Sequence, residues 1–214
     1  SGYILMNILG PSQGINLMGF LGGLASSTAT TISFSSASRE NPRMSPQYAR
    51  AVIMASTVMF PRVFVLILVI HPPLAAKAAA PLAAMLAAGL IYIFLAGKRT
   101  GVSGEDSPAP VKVGNPLKLS TAVKFGLLFA FVLIIIEFAQ SSLGTTGVYL
   151  TSFLTGLTDA DAITLSLTRL ASRNQITLQV AGIAVVLASL MNTLSKGAIA
   201  YFSGPHELRK HVLP

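Results

Sequence analysis

Long apolar runs alternate with short polar connections along the whole chain. Six stretches, residues 15–38, 46–70, 74–97, 120–143, 145–172 and 176–202, each approach or exceed the roughly 20 residues needed to cross a hydrocarbon layer. The fourth is the clearest, because residues 125–136 are almost unbroken Leu, Phe, Val and Ile. The first and fifth are different. Ser26, Ser27, Thr28, Thr30, Thr31, Ser33, Ser35 and Ser36 crowd the first, and Thr151, Thr155, Thr158, Asp159, Asp161 and Thr164 crowd the fifth. Helices this polar make poor lipid-facing spans, so both are expected to cross inside the bundle. Residues 3–9 read as the tail of another apolar helix, and the chain is expected to be a fragment of a longer protein.

Only 10% of the 214 residues are charged and 52% are hydrophobic. That is too little charge to cover a water-soluble globule and too little polarity for a disordered chain. The expected class is all-α, a polytopic integral membrane helical bundle. The excess of 15 basic over 7 acidic residues, which in a soluble protein would suggest nucleic acid, here sets orientation. Arg39, Arg43 and Arg50 flank the first turn, Lys98, Arg99, Lys112, Lys118 and Lys124 the third, and Arg169 and Arg173 the fifth, whereas the second turn offers only Lys77. The loop 98–119, rich in Gly and Pro, is therefore cytoplasmic in a multi-pass membrane protein, and no nucleic-acid partner is expected. On this count Arg209 and Lys210 fall outside. With no native cysteine, Cys introduced at Ser103 or Ser107 is expected to resist an impermeant thiol reagent added to intact cells. Ready labelling would reverse the orientation.

The chain also resembles itself. Displaced by 133 positions, residues 20–33 fall on residues 153–166 with half of the positions identical, and Gly14 and Leu17 fall on Gly147 and Leu150. A single membrane domain over 1–214 is expected, with repeat one at 1–70, a linking helix at 74–97, the loop at 98–119 and repeat two at 120–203. If each polar segment crosses once, these are two parallel three-helix repeats joined by an extra transmembrane helix, related by an axis along the membrane normal.

Asp159 and Asp161 lie about halfway along the fifth stretch, where carboxylates are expensive. Gly156, like Gly22 and Gly23 in the first copy, is expected to break the helix and free carbonyl oxygens. With Ser26 and Thr28, the repeat mates of the two aspartates, this makes an oxygen-rich site suited to Mg²⁺, Na⁺ or H⁺. Asp159 and Asp161 are the candidate metal ligands. Arg62, Lys196 and Glu137 complete the ionisable set inside the spans, and Asn192 lies one turn before Lys196. Arg62 and Lys196 are near-equivalents in the repeat, and internal ion pairing is the plain alternative to an ion pathway. No nucleophile elbow, phosphate loop or intramembrane histidine suggests catalysis. The expected function is a permease or channel-like module for a small cation or proton-coupled solute. A non-transporting scaffold or regulatory module is the alternative.

At residues 22–31, Gly-Gly-Leu-Ala-Ser-Ser-Thr-Ala-Thr-Thr, and again at 156–166, the chain resembles a family of bacterial membrane domains of unknown function, the one numbered four thousand and ten. Such domains are often found C-terminal to an MgtC/SapB-type membrane segment. The resemblance implies an inner-membrane protein in an ion-handling context. It also implies an MgtC-like segment as a partner in the full-length protein. The other partners expected of the chain are the lipid bilayer and a second copy in a homodimer.

Overall fold

The computed structural model describes residues 11–99 and 119–212; the apolar tail at 3–9 and most of the loop 98–119 lie outside them. The described residues are helical, without a strand among them: α1 (Pro11–Glu40), a 3-10 turn (Pro42–Met44), α2 (Ser45–Thr57), α3 (Met59–Ile70), α4 (Pro72–Arg99), α5 (Leu119–Gly156), α6 (Ala160–Ser172), α7 (Leu178–Ser203) and α8 (His206–Val212). Among the described residues four helical runs are long and apolar enough to cross a membrane: Pro42–Ile70, Pro72–Leu95, Ala130–Gly156 and Leu178–Ser203. The protein is an all-helical membrane protein, in two compact units. One holds the described residues up to Met59, those from Met85 to Arg99 and those from Lys196; the other holds Phe60–Ala84 and the described residues from Leu119 to Ser195.

In the first unit α1 is not one straight helix. Its helical dihedrals are interrupted at Ser26 (φ −164°, ψ 102°), and beyond this residue the chain doubles back. A Cβ placed on Gly22 would come within 2.5 Å of the Thr30 hydroxyl. In a straight helix eight residues separate by about 12 Å. Ile15, Phe34 and Ala37, which a straight helix would hold far apart, share one core cluster with Met44 and Tyr48. The segment is thus a helical hairpin, its arms residues 11–25 and 27–40. Each arm is roughly 21–22 Å long at 1.5 Å per residue, short of the roughly 30 Å hydrocarbon layer. The hairpin is clamped onto α2. Ser38 and Ser45 share a 2.7 Å hydrogen bond, Phe34 and Tyr48 rings lie 5.8 Å apart, and Gly19 and Gly23 bring the first arm against the backbone of Ala51 and Ala55.

The second unit repeats this device. Helix α5 reverses at Gly144, whose φ of +56° is a left-handed conformation that glycine adopts without strain. A side chain on Gly147 would overlap the Ala139 carbonyl, so residues 119–143 form one leg and residues 145–156 fold back beside it. The chain breaks again at 157–159 and returns as α6. Both feet of this second hairpin meet: Gln140 Nε2 donates to the Gln175 carbonyl at 2.6 Å, across a cavity of about 220 Å³ also lined by Thr145, Val148, Thr177 and Val180.

The expectation that residues 15–38 and 145–172 are each one continuous span is therefore corrected: both are broken into hairpins. The physical reason is that a polar residue at mid-segment can start a new helix in a new direction. Hydropathy scores the two apolar halves alike in either case. The placement of Arg209 and Lys210 opposite Arg39 changes with it, since a hairpin returns the chain to the face it left. Arg39 donates to the carbonyl of Phe202, so the foot of the first hairpin and the end of α7 share one end of the first unit.

Candidate functional site

Each hairpin tip is built around one side chain that ends one arm and caps the other. Asp159 has extended dihedrals (φ −152°, ψ 119°), and its Oδ1 accepts from the backbone N–H of Asp161 at 2.7 Å and of Ala162 at 3.2 Å. This is an N-cap: the carboxylate satisfies amides that the first turn of α6 leaves open, and its charge suits the positive end of the helix dipole. In the first hairpin Ser26 is extended, and its Oγ accepts from Ala29 N–H at 3.3 Å. These two breaks stand 133 residues apart. Gly23 against Ala55 and Gly156 against Ala188 keep the same offset; a Cβ on either glycine would lie 2.6 Å from the facing backbone.

The glycines expected as helix breaks thus precede the breaks. Gly23 and Gly156 admit the close approach of a neighbouring helix, and Gly22 admits Thr30 of the returning arm. The carbonyls freed at the second tip are already engaged. Thr155 O accepts from Thr158 N, Asp159 N and Thr158 Oγ1, and Gly156 O accepts from Asn192 Nδ2 at 2.9 Å.

The structure brings Arg62 and Asp161 together. Arg62 Nη2, on α3, donates to Asp161 Oδ2 in the first turn of α6, and the pair is 25% and 20% exposed. Lys196, 1% exposed in the first unit, donates to Met59 Sδ at 3.2 Å. Thr28 is half-buried beside the Ser26 break, while Glu137 is exposed on the 119–143 leg. Among the described residues no three His, Cys, Asp or Glu side chains gather as a metal site. Asp161 holds a guanidinium and Asp159 holds amides, so the arrangement is one charge pair beside a capped tip, with hydroxyls at Thr155, Thr158 and Thr164 around it. Buried Thr164 Oγ1 has no hydrogen-bond partner among the described residues.

Three residues that shape this site were missed: Gly144, Gln140 and Gln175. Gly144 falls between the fourth and fifth apolar stretches, and a glutamine near the end of an apolar run was the available signal for Gln140.

The family described as Domain of unknown function (DUF4010) matches residues 1–204. A protein of Aquifex aeolicus (strain VF5), described as uncharacterized, is 32% identical over 200 residues, covering 92% of this chain and 85% of the relative. No solved structure matches the chain.

Proposed function

This chain belongs to the DUF4010 family, and we propose from its two re-entrant hairpins that it is the core of a secondary transporter for a proton-coupled solute or small cation in the bacterial inner membrane. The observation that carries this reading is the exposed polar tip. Ser26 and Thr158 stand on the protein surface at the ends of arms that reach only partway across the bilayer. Irregular backbone at that depth is tolerated where protein or a water-filled cavity covers it, not against lipid. A wet cavity at such a tip is what a carrier needs. Within it, the Arg62–Asp161 pair is the coupling element: protonation or a competing cation at Asp161 releases Arg62 and loosens the second hairpin, which is hinged at Gly144 and at Asn174, whose φ is +57°. Mg²⁺ fits this site less well than H⁺ or Na⁺, because it demands about six well-placed oxygens.

The shared offset of the two breaks and of the two glycine contacts supports an internal repeat. Counting three crossing legs between the hairpins, 42–70, 72–95 and 119–143, favours an inverted repeat over the parallel one expected from six crossings. With the 98–119 loop cytoplasmic, Cys at Asn174 is expected to react with an impermeant thiol reagent outside intact cells, and Cys at Glu40 only after permeabilisation. The opposite pattern at Asn174 would restore the parallel arrangement.

Flux of H⁺, Na⁺ and Mg²⁺ in proteoliposomes tests the transport reading. A flux above protein-free vesicles that the folded Arg62→Gln/Asp161→Asn double variant loses supports it. Folded protein without flux across the panel favours the second reading, a scaffold or regulatory module for an MgtC-like partner, which the satisfied cap and the closed ion pair also fit.

A further inference from the structure

At one end of the first unit the fold gathers arginines that the transport reading does not use. Arg39 closes the first hairpin, Arg43 lies in the 3-10 turn, Arg50 is on α2 and Arg209 is on α8. Helix α8 packs against α2, and Leu208 is fully buried in the cluster that includes Met44 and Tyr48. Arg209 is stacked over the Tyr201 ring, 5.0 Å from its centroid. Arg39 is tied to Phe202 O at the end of α7. The arginines are therefore held by the packing of hairpin foot, α2, α7 and α8.

The charge of three of them is not neutralised among the described residues. Arg39, Arg50 and Arg209 form no ion pair among the described residues, and the Nε–H groups of Arg50 and Arg209 have no acceptor among them. Against the four arginines stand two glutamates at this end, Glu40 and Glu207, both exposed. A half-buried guanidinium with an unmade hydrogen bond is costly, and the group that matches its fork is a carboxylate or phosphate.

We infer that this end is a binding site for the phosphate of an anionic lipid headgroup, gripped by Arg50 and Arg209 with Arg39 at its edge. The level in the membrane selects the lipid. α2 begins and α7 ends here, so the site lies where spans leave the hydrocarbon, and the basic-loop pattern puts this face at the anionic cytoplasmic leaflet. A short rotation of the half-exposed side chains turns each Nε–H toward the headgroup, while their aliphatic stems stay on apolar surface. The inference rests on the membrane reading and not on transport.

The full chain, reconstituted in phosphatidylcholine vesicles with or without phosphatidylglycerol and then extracted, is analysed by native mass spectrometry and thermal unfolding. Phosphatidylglycerol is expected to stay bound and raise the unfolding midpoint. In Arg50→Gln/Arg209→Gln its retention is expected to fall about tenfold or more, the loss of charge-assisted hydrogen bonds. Equal retention by the variant overturns the site. The same stabilisation by inorganic phosphate in phosphatidylcholine alone overturns the lipid assignment in favour of a soluble anion. Should the glutamine variant fail to fold, Arg50→Lys/Arg209→Lys decides, because it keeps the charge and loses the fork: reduced retention supports the site and unchanged retention refutes it.

Discussion

Asp161→Asn is expected to lower stability by about 3–5 kcal/mol, because it takes the neutralising carboxylate from Arg62 in a mostly buried position. The asparagine keeps the size of the side chain, so packing is not the cause of the loss. Arg62→Gln in the same chain removes the arginine's charge and is expected to restore most of the stability. Asp159→Asn provides the contrast. Asparagine caps helices about as well as aspartate, so that change is expected to be nearly neutral, whereas Asp159→Ala forfeits the cap and costs about 1 kcal/mol. Thermal unfolding in detergent micelles ranks the four. An Asp161→Asn protein as stable as the wild type would show that the ion pair does not hold the second hairpin.

Gly156→Ala and Gly197→Ala are expected to change stability in opposite directions. A methyl group at Gly156 meets the Ala188 carbonyl oxygen at 2.6 Å and its Cα at 2.8 Å, both backbone atoms that cannot swing away. The arm must shift, and with it the Gly156 carbonyl that Asn192 holds, for a loss of about 1–3 kcal/mol. Gly197 lies within α7 and a Cβ there meets nothing within 4 Å. Alanine at that position is expected to stabilise by about 0.5–1 kcal/mol, since it limits the unfolded chain and costs no contact. The same substitution with the same sign at both sites would refute the close approach of the hairpin arm to α7.

Three of the apolar helical runs are legible in the sequence to within four residues: 46–70, 74–97 and 176–202 against Pro42–Ile70, Pro72–Arg99 and Leu178–Ser203. Their signal is local, a run of apolar side chains between Pro, Gly or charge. The hairpins are not legible this way, because a fold-back and a crossing bury similar runs of Leu, Ala and Thr. What separates them is a single capping side chain, Ser26 or Asp159, and a single left-handed glycine, Gly144. Asp159 and Asp161 stand out as costly residues, yet their roles diverge for reasons of geometry. Asp159 turns back onto its own helix, and Asp161 finds an arginine 99 residues away. No spacing rule encodes that partner. Lys196 and Met59, 137 residues apart, are likewise joined only by the fold.

The half-length arms constrain how the protein is made. A membrane-insertion machinery that releases segments sideways into lipid retains those long enough to span, and neither 145–156 nor α6 meets that length alone. An arm released singly would leave its broken end, with Asp159 and the Gly156 carbonyl that Asn192 holds, facing hydrocarbon without water. The second hairpin must therefore enter as a closed pair, once the 119–143 leg stands beside it and α7 has arrived to receive Gly156. The order of insertion expected from this geometry is that the 119–143 leg and α7 settle first and the second hairpin slots in beside them.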